Sequence, residues 1–251
     1  MHRVLNCKID KANPAVQCAL GIMTKAPQPG LVKTRLVPPL TPEEAAQLNR
    51  CFLADTAAAI LQACRETACG IGVYTPIGAE TAYHNILPNE FALLPQRGDQ
   101  FGERLFNAAA DLFTIGFASV CLIDSDSPTV PAKMFSRAID SLAGKMDRVV
   151  LGPSDDGGYY LIGIAKLHRR LFEKIDWSSE RVLEQTKQRA AELGLELELL
   201  DTFYDVDERV TLRRLCNELL APNVDKSIAP QTKKFLKTLI AQEGRERIFS
   251  G

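Results

Sequence analysis

Short continuous runs of apolar residues punctuate this chain, and between them lie segments in which apolar positions recur every three or four residues. The runs at 16–23 (VQCALGIM), 71–74, 91–94, 119–123, 149–151, 159–164 and 195–200 have the length and continuity of strands buried on both faces. The intervening segments 42–67, 79–87, 101–113, 132–142, 180–193 and 210–220 read as helices. In the third of these, apolar residues at 101, 105, 106, 109, 112 and 113 form a helical stripe. Thr41, Pro42, Glu43 and Glu44 spell a helix start: an N-cap hydroxyl, proline at the first helical position and acids in the first turn. Strands alternating with helices predict an α/β fold with a mainly parallel sheet covered on both faces. Residues 1–15 show no period and read as an extension, 16–222 as the main domain, and 223–251 as a helical tail.

Composition narrows the setting without changing the fold. At 251 residues the chain can bury roughly three quarters of its unfolded surface in one large domain. Charged residues make up 24%, apolar residues 46%, and the net charge is −1, a balance that argues against nucleic acid as a partner. Seven cysteines, an odd number without a C-x-x-C pair, lie mostly in apolar runs and suggest a reducing, cytoplasmic compartment. No apolar stretch reaches the ~18 residues needed to cross a bilayer, and Lys8, Asp10 and Lys11 interrupt any leader-like opening, so membrane insertion is not expected. The tail from 226 onward carries six basic residues against two acidic ones, which reads as a solvated face or a surface for an acidic partner. The oligomeric state is not legible.

The candidate chemistry sits where strands end. After the first run comes Lys25-Ala-Pro-Gln-Pro-Gly-Leu-Val-Lys33-Thr-Arg35, in which Lys25, Lys33 and Arg35 supply charge while Pro27, Pro29 and Gly30 shape the loop. Fixed cations with accessible backbone N–H groups are what phosphate recognition requires. The spacing lacks the glycines of a Walker P-loop. After the fourth run, Asp124-Ser-Asp126-Ser-Pro128 offers carboxylates of the kind that hold Mg²⁺ or Mn²⁺ together with substrate phosphates. Asp126 is the leading ligand and Asp124 a second; either also suits an Asx turn or a helix cap. A haloacid-dehalogenase reading fails because that pair belongs on the first strand.

Gly152-Pro-Ser-Asp155-Asp156-Gly157-Gly158-Tyr159-Tyr160 interrupts two apolar runs with a polar turn. Its adjacent glycines admit a ligand close to the backbone, and Asp155 or Asp156 can accept from sugar hydroxyls or join a metal. Asp205-Val-Asp207 precedes a helix, where it serves as a cap or brings another carboxylate to the metal.

Together these strings resemble a bacterial family of GT-A-like transferases, often described as glycosyltransferases of arsenosugar biosynthesis or as radical-SAM and selenodomain-associated, and known as DUF2064-like. More distantly they are similar to phospholactate guanylyltransferase and sugar-phosphate nucleotidyltransferases. The resemblance covers about residues 16–215, with Lys25 to Leu36 its most specific string. It implies a Rossmann-like three-layer αβα nucleotide-diphospho-sugar transferase (GT-A) fold. By position it implies that Lys25, Lys33 and Arg35 meet phosphates, that Asp126 holds Mg²⁺ or Mn²⁺, and that Asp156 with Gly157 and Gly158, followed by Tyr159, lines the sugar or acceptor side. The segment 96–104 (QRGDQFGER) matches a family stretch beside the nucleotide, which adds Gln96, Gly102 and Arg104. The chain departs from the family pattern at Asp124, where glycine is usual, and at Glu208, where threonine follows the D-x-D. Trp177 corresponds to a family tryptophan and reads as a core filler or an acceptor platform.

Three activities are compatible with this set. In glycosyl transfer from a nucleotide sugar, the basic loop, with Lys33 and Arg35, stabilises the departing diphosphate and Asp156 handles the acceptor proton. In nucleotidyl transfer, an NTP reacts with a phosphorylated small molecule and pyrophosphate leaves. The third is nucleotide binding without catalysis.

Overall fold

The computed structural model describes residues 1–64, 66–144 and 147–249. Seven strands form one sheet: β1 (Cys18–Lys25), β2 (Ala68–Thr75), β3 (Ala92–Pro95), β4 (Ser119–Ile123), β5 (Arg148–Pro153), β6 (Tyr159–Ile164) and β7 (Glu196–Leu199). Their order across the sheet is β3-β2-β1-β4-β6-β5-β7. All neighbours pair in parallel except β6, which runs antiparallel to both β4 and β5.

The helices are α1 (Pro42–Ala63), α2 (Phe101–Ile115), α3 (Ala132–Leu142), α4 (Val182–Glu192), α5 (Arg209–Leu219), α6 (Pro230–Glu243) and α7 (Glu246–Phe249). Alternation along β1 shows how the layers assemble. Cys18, Leu20 and Ile22 face a core shared with Leu53, Ala57 and Ile60 of α1 and Phe135 of α3. Ala19 and Met23 face the opposite core, with Leu105, Ala109 and Leu112 of α2 and Ala190 of α4. The result is the three-layer αβα arrangement expected from the run-and-stripe pattern.

A third apolar cluster lies beyond the sheet, where Leu48 and Phe52 of α1 meet Leu212 and Leu215 of α5 and Leu236 and Leu239 of α6. Arg247 of α7 reaches Glu44, with Nη1 2.9 Å from Oε1. At the other end of the chain, Leu5 is buried and its N–H donates to the Leu93 carbonyl at 2.7 Å, so the opening residues add a bridge beside β3.

Several boundaries differ from expectation. The first strand begins two residues later than 16 and runs on to Lys25. The helix predicted to reach 67 stops at Ala63 because the Thr67 carbonyl is taken by the N–H groups of Gln17 (2.7 Å) and Cys18 (3.0 Å), which pulls that segment toward the sheet. Arg65, in that final stretch, and Ser250 and Gly251 of the tail lie outside the described residues. The helix expected over 79–87 is only a 3-10 turn at Glu80–Tyr83, bounded by Gly78 and Asn85 in positive-φ conformations.

Candidate active site

β1 and β4 are adjacent and parallel, so their carboxyl ends bring the basic loop and the acidic turn to one rim of the sheet. Residues 203–207 are laid along the same rim. Phe203 pairs with Ser154 in a parallel bridge, and the Val206 N–H donates to the Asp126 carbonyl at 2.9 Å. That path carries Asp205 and Asp207 to the acidic turn.

Lys33 closes the arrangement. Its Nζ lies 2.7 Å from Asp126 Oδ1, 2.7 Å from Asp207 Oδ1 and 2.8 Å from the Val206 carbonyl, and its side chain is only 3% exposed. Burial works against its charge, but Asp126 and Asp207 outweigh burial and raise its pKa. Lys33 therefore does not present its ammonium to solvent in the way expected of a phosphate-binding loop lysine. The basic loop and the two acidic segments are thus joined through one lysine.

Two clefts open on either side of this ion triad, and Met23, Phe101, Asp126 and Asp207 form a wall common to both. The smaller, of about 300 Å³, has Lys25, Lys33, Gln96 and Arg104 on its surface. The larger, of about 650 Å³, is lined by Asp124, Asp126, Asp156, Asp205 and Asp207. Aromatic rings form its far side: Trp177 meets Phe101 edge-on with centroids 5.3 Å apart, and Tyr159 at 6.4 Å.

The aspartates differ in state. Burial, reinforced by Asp126, pushes the Asp124 carboxyl well above the usual range. Its oxygens accept from the Ser127 hydroxyl at 2.7 Å and from the Asp126 N–H at 3.3 Å, so it holds the turn. Burial, with repulsion from Asp156 and Asp207, pushes Asp205 up to about 6. Asp126 and Asp207 supply two oxygens converging on one point, a donor set suited to a hard divalent cation whose remaining positions are filled by water and phosphate. Among the described residues no group of three or more His, Cys, Asp or Glu side chains is arranged to hold a metal. A metal here would rely on this pair.

Residues 59–179 match the family of bacterial proteins described as uncharacterized protein conserved in bacteria (DUF2064). A candidate nucleotide-diphospho-sugar transferase from Desulfovibrio desulfuricans G20 superposes with a TM-score of 0.78 at 28% identity, over 90% of this chain and 98% of that one. Over residues 59–179 the chain is similar to DUF2064. It has the nucleotide-diphospho-sugar transferase fold. At lower identity that fold is shared with CMP:2-keto-3-deoxy-manno-octonic acid synthetase in complex with CTP, at TM-score 0.53, 10% identity and coverage of 79% of this chain and 96% of that one. It is also shared with the 4-diphosphocytidyl-2C-methyl-D-erythritol synthase of Anaerococcus prevotii DSM 20548, at 0.51, 13%, 81% and 97%. No curated protein matches. The DUF2064 stretch contains Asp126, Asp156 and Trp177, whereas Lys33 and Asp207 lie outside it.

Several expected residues shape the walls of this site. Pro29 and Gly30 are exposed on the loop, with Gly30 at φ 75. Gln96 donates from Nε2 to the carbonyls of Val73 (2.8 Å) and Thr24 (3.1 Å), which ties the ends of β1 and β2 together beside the smaller cleft. Gly102 lets Trp177 approach: a Cβ there would lie 2.4 Å from the indole Nε1. Gly157, at φ +91, sits so close to the next loop that a Cβ would fall 2.1 Å from the Glu180 carbonyl oxygen. The Asp155 carboxylate pairs with Arg214 of α5 and lines neither cleft. Asp156 does face the larger cleft, with Oδ1 accepting the Gly158 N–H at 2.8 Å. Arg35 lines the larger cleft, not the smaller, and its Nη1 is 3.7 Å from Glu208.

Asn49 escaped the sequence reading. It lies in the buried stripe of α1 with Ala45, Leu48, Phe52 and Leu53, it borders the smaller cleft, and its Oδ1 is buried without a protein partner. Arg104 has a buried Nε in the same condition on the same cleft. An asparagine within an apolar stripe was the available signal, because buried polar groups are almost always paired.

Proposed function

We propose that the protein transfers a glycosyl group from a nucleoside-diphosphate sugar, bound across the smaller cleft and the shared wall, to an acceptor in the larger cleft that carries no phosphate. One observation carries this reading. The larger cleft has five aspartates on its walls, and Arg35 is the one cation among the described residues lining it. A phosphorylated second substrate, as nucleotidyl transfer requires, would meet carboxylates at close range. A hydroxyl acceptor needs only one carboxylate to take its proton.

In this scheme the acceptor oxygen attacks the anomeric carbon, the bond from that carbon to the diphosphate oxygen breaks, and the acceptor proton passes to a cleft carboxylate. Asp156 orients the hydroxyl; Asp205, with a carboxyl at about 6, is matched to accept a proton near neutral pH. Lys25 and Arg104 meet the phosphates from the smaller cleft, and the buried Oδ1 of Asn49 accepts a donor from the nucleoside. Mg²⁺ or Mn²⁺ held by Asp126 and Asp207 would stabilise charge on the departing diphosphate.

The test is a panel of NTPs and nucleotide sugars with Mg²⁺ or Mn²⁺ and unphosphorylated sugars, polyols and amines. Release of nucleoside diphosphate from one nucleotide sugar is expected. Pyrophosphate release from an NTP in the presence of a sugar phosphate would overturn the proposal in favour of nucleotidyl transfer. Thermal stabilisation by nucleotides without turnover across the panel would point to a binding protein.

A further inference from the structure

Lys33 occupies the point at which Asp126 and Asp207 converge. Its three acceptors, at 2.7, 2.7 and 2.8 Å, account for all three protons of the ammonium. The backbone is committed to this placement, since Lys33 adopts the left-handed conformation at φ 47 and ψ 37 directly before the 3-10 turn Thr34–Leu36. The ring of Phe52 lies 5.2 Å from Nζ. Two carboxylates from distant parts of the chain are therefore already neutralised in part, by a cation belonging to the protein.

A divalent ion bound to the same two oxygens would sit at about 2.0–2.2 Å from each. That places it within van der Waals reach of the present Nζ position, with like charge. The two cannot share the site. An expelled ammonium needs a new anion, and Lys33 already borders the smaller cleft, where the nucleotide phosphates are placed by the reading above, on which this inference rests.

We propose that Lys33 and a divalent cation are alternative occupants of the Asp126–Asp207 site, so that the protein by itself binds divalent metal weakly. Metal binds tightly only together with a phosphate-bearing ligand that receives the displaced ammonium. Lys33 thus couples metal loading to substrate loading and keeps the two carboxylates from recruiting metal in an empty site.

Titration of the full chain with Mn²⁺ alone, followed by electron paramagnetic resonance of the free ion, tests this without any turnover. Lys33→Met should bind one Mn²⁺ at least tenfold more tightly than the wild type, and adding Asp207→Asn should abolish the gain. Lys33→Gln, which keeps a donor but no charge, should shift affinity in the same direction by less. Equal Mn²⁺ affinity in wild type and in both lysine variants would overturn the proposal. In the unmodified protein, the Lys33 ammonium resonance should move when Mg²⁺ and pyrophosphate are added together and stay in place with Mg²⁺ alone. Movement with Mg²⁺ alone would also overturn it. Failure of the glycosyl-transfer assay leaves both readouts intact, so the two proposals fail separately.

Discussion

Asp205 and its neighbours show how much of this site is decided by individual carboxylates. Its carboxyl is raised from 3.8 to about 6, first by burial and then by Asp156 and Asp207. A raised acid pKa means that the folded state holds the proton more firmly than the unfolded chain. The associated stability is fully present below about pH 4 and is lost as pH climbs through about 6. Asp205→Asn, which cannot ionise, should be more stable than wild type at pH 7 by about 1–2 kcal/mol, after allowance for the partial exposure of the group. The advantage should vanish below pH 4. Urea unfolding in chelator at the two pH values measures it, and an equal difference at both would show that Asp205 titrates as it does in the unfolded chain. The sequence displayed the acids and the basic loop because each stands beside a strand end. It did not display that Lys33 turns inward, that Asp155 is bound by Arg214, or that Asn49 borders a cleft, because each of these depends on a partner more than thirty residues away or on packing.

At the scale of elements, α1 ties the molecule together. Its start is fixed by a capping box, with the Glu44 N–H 3.2 Å from Thr41 Oγ1 and the Thr41 N–H 2.8 Å from Glu44 Oε2. Midway along it, Asp55 is 5% exposed and accepts the N–H groups of Gln231 (2.9 Å) and Thr232 (2.8 Å). A side chain of one helix thereby caps the start of another, because α6 has no cap of its own. Asp55→Ala leaves the buried Thr232 N–H and the more exposed Gln231 N–H without this acceptor and should lower stability by about 1–3 kcal/mol in urea unfolding. A loss under 0.5 kcal/mol would mean that water replaces the cap. The periodicity located β4, α3 and β6 to the residue, since each is bracketed by strong turn signals. It missed the antiparallel direction of β6, which is set by pairing with β4 and β5 and leaves no mark in local pattern.

Across the whole molecule, charge is sorted by place while the total stays near zero. The chain's net charge is −1, yet one cleft gathers lysine and arginine and its neighbour gathers aspartate. No helix among the described residues is long and apolar enough to cross a membrane. The aromatic side of the acidic cleft has a practical corollary. The chain contains a single tryptophan, Trp177, and it forms part of that wall between Phe101 and Tyr159. Indole emission from the unlabelled protein is therefore an optical gauge of that one chamber. Compounds entering it should quench or shift the signal, whereas a nucleotide confined to the adjoining chamber should leave it nearly constant, and Trp177→Phe supplies the blank. A fluorescence screen of small polar molecules can thus nominate acceptors before the donor nucleotide has been identified.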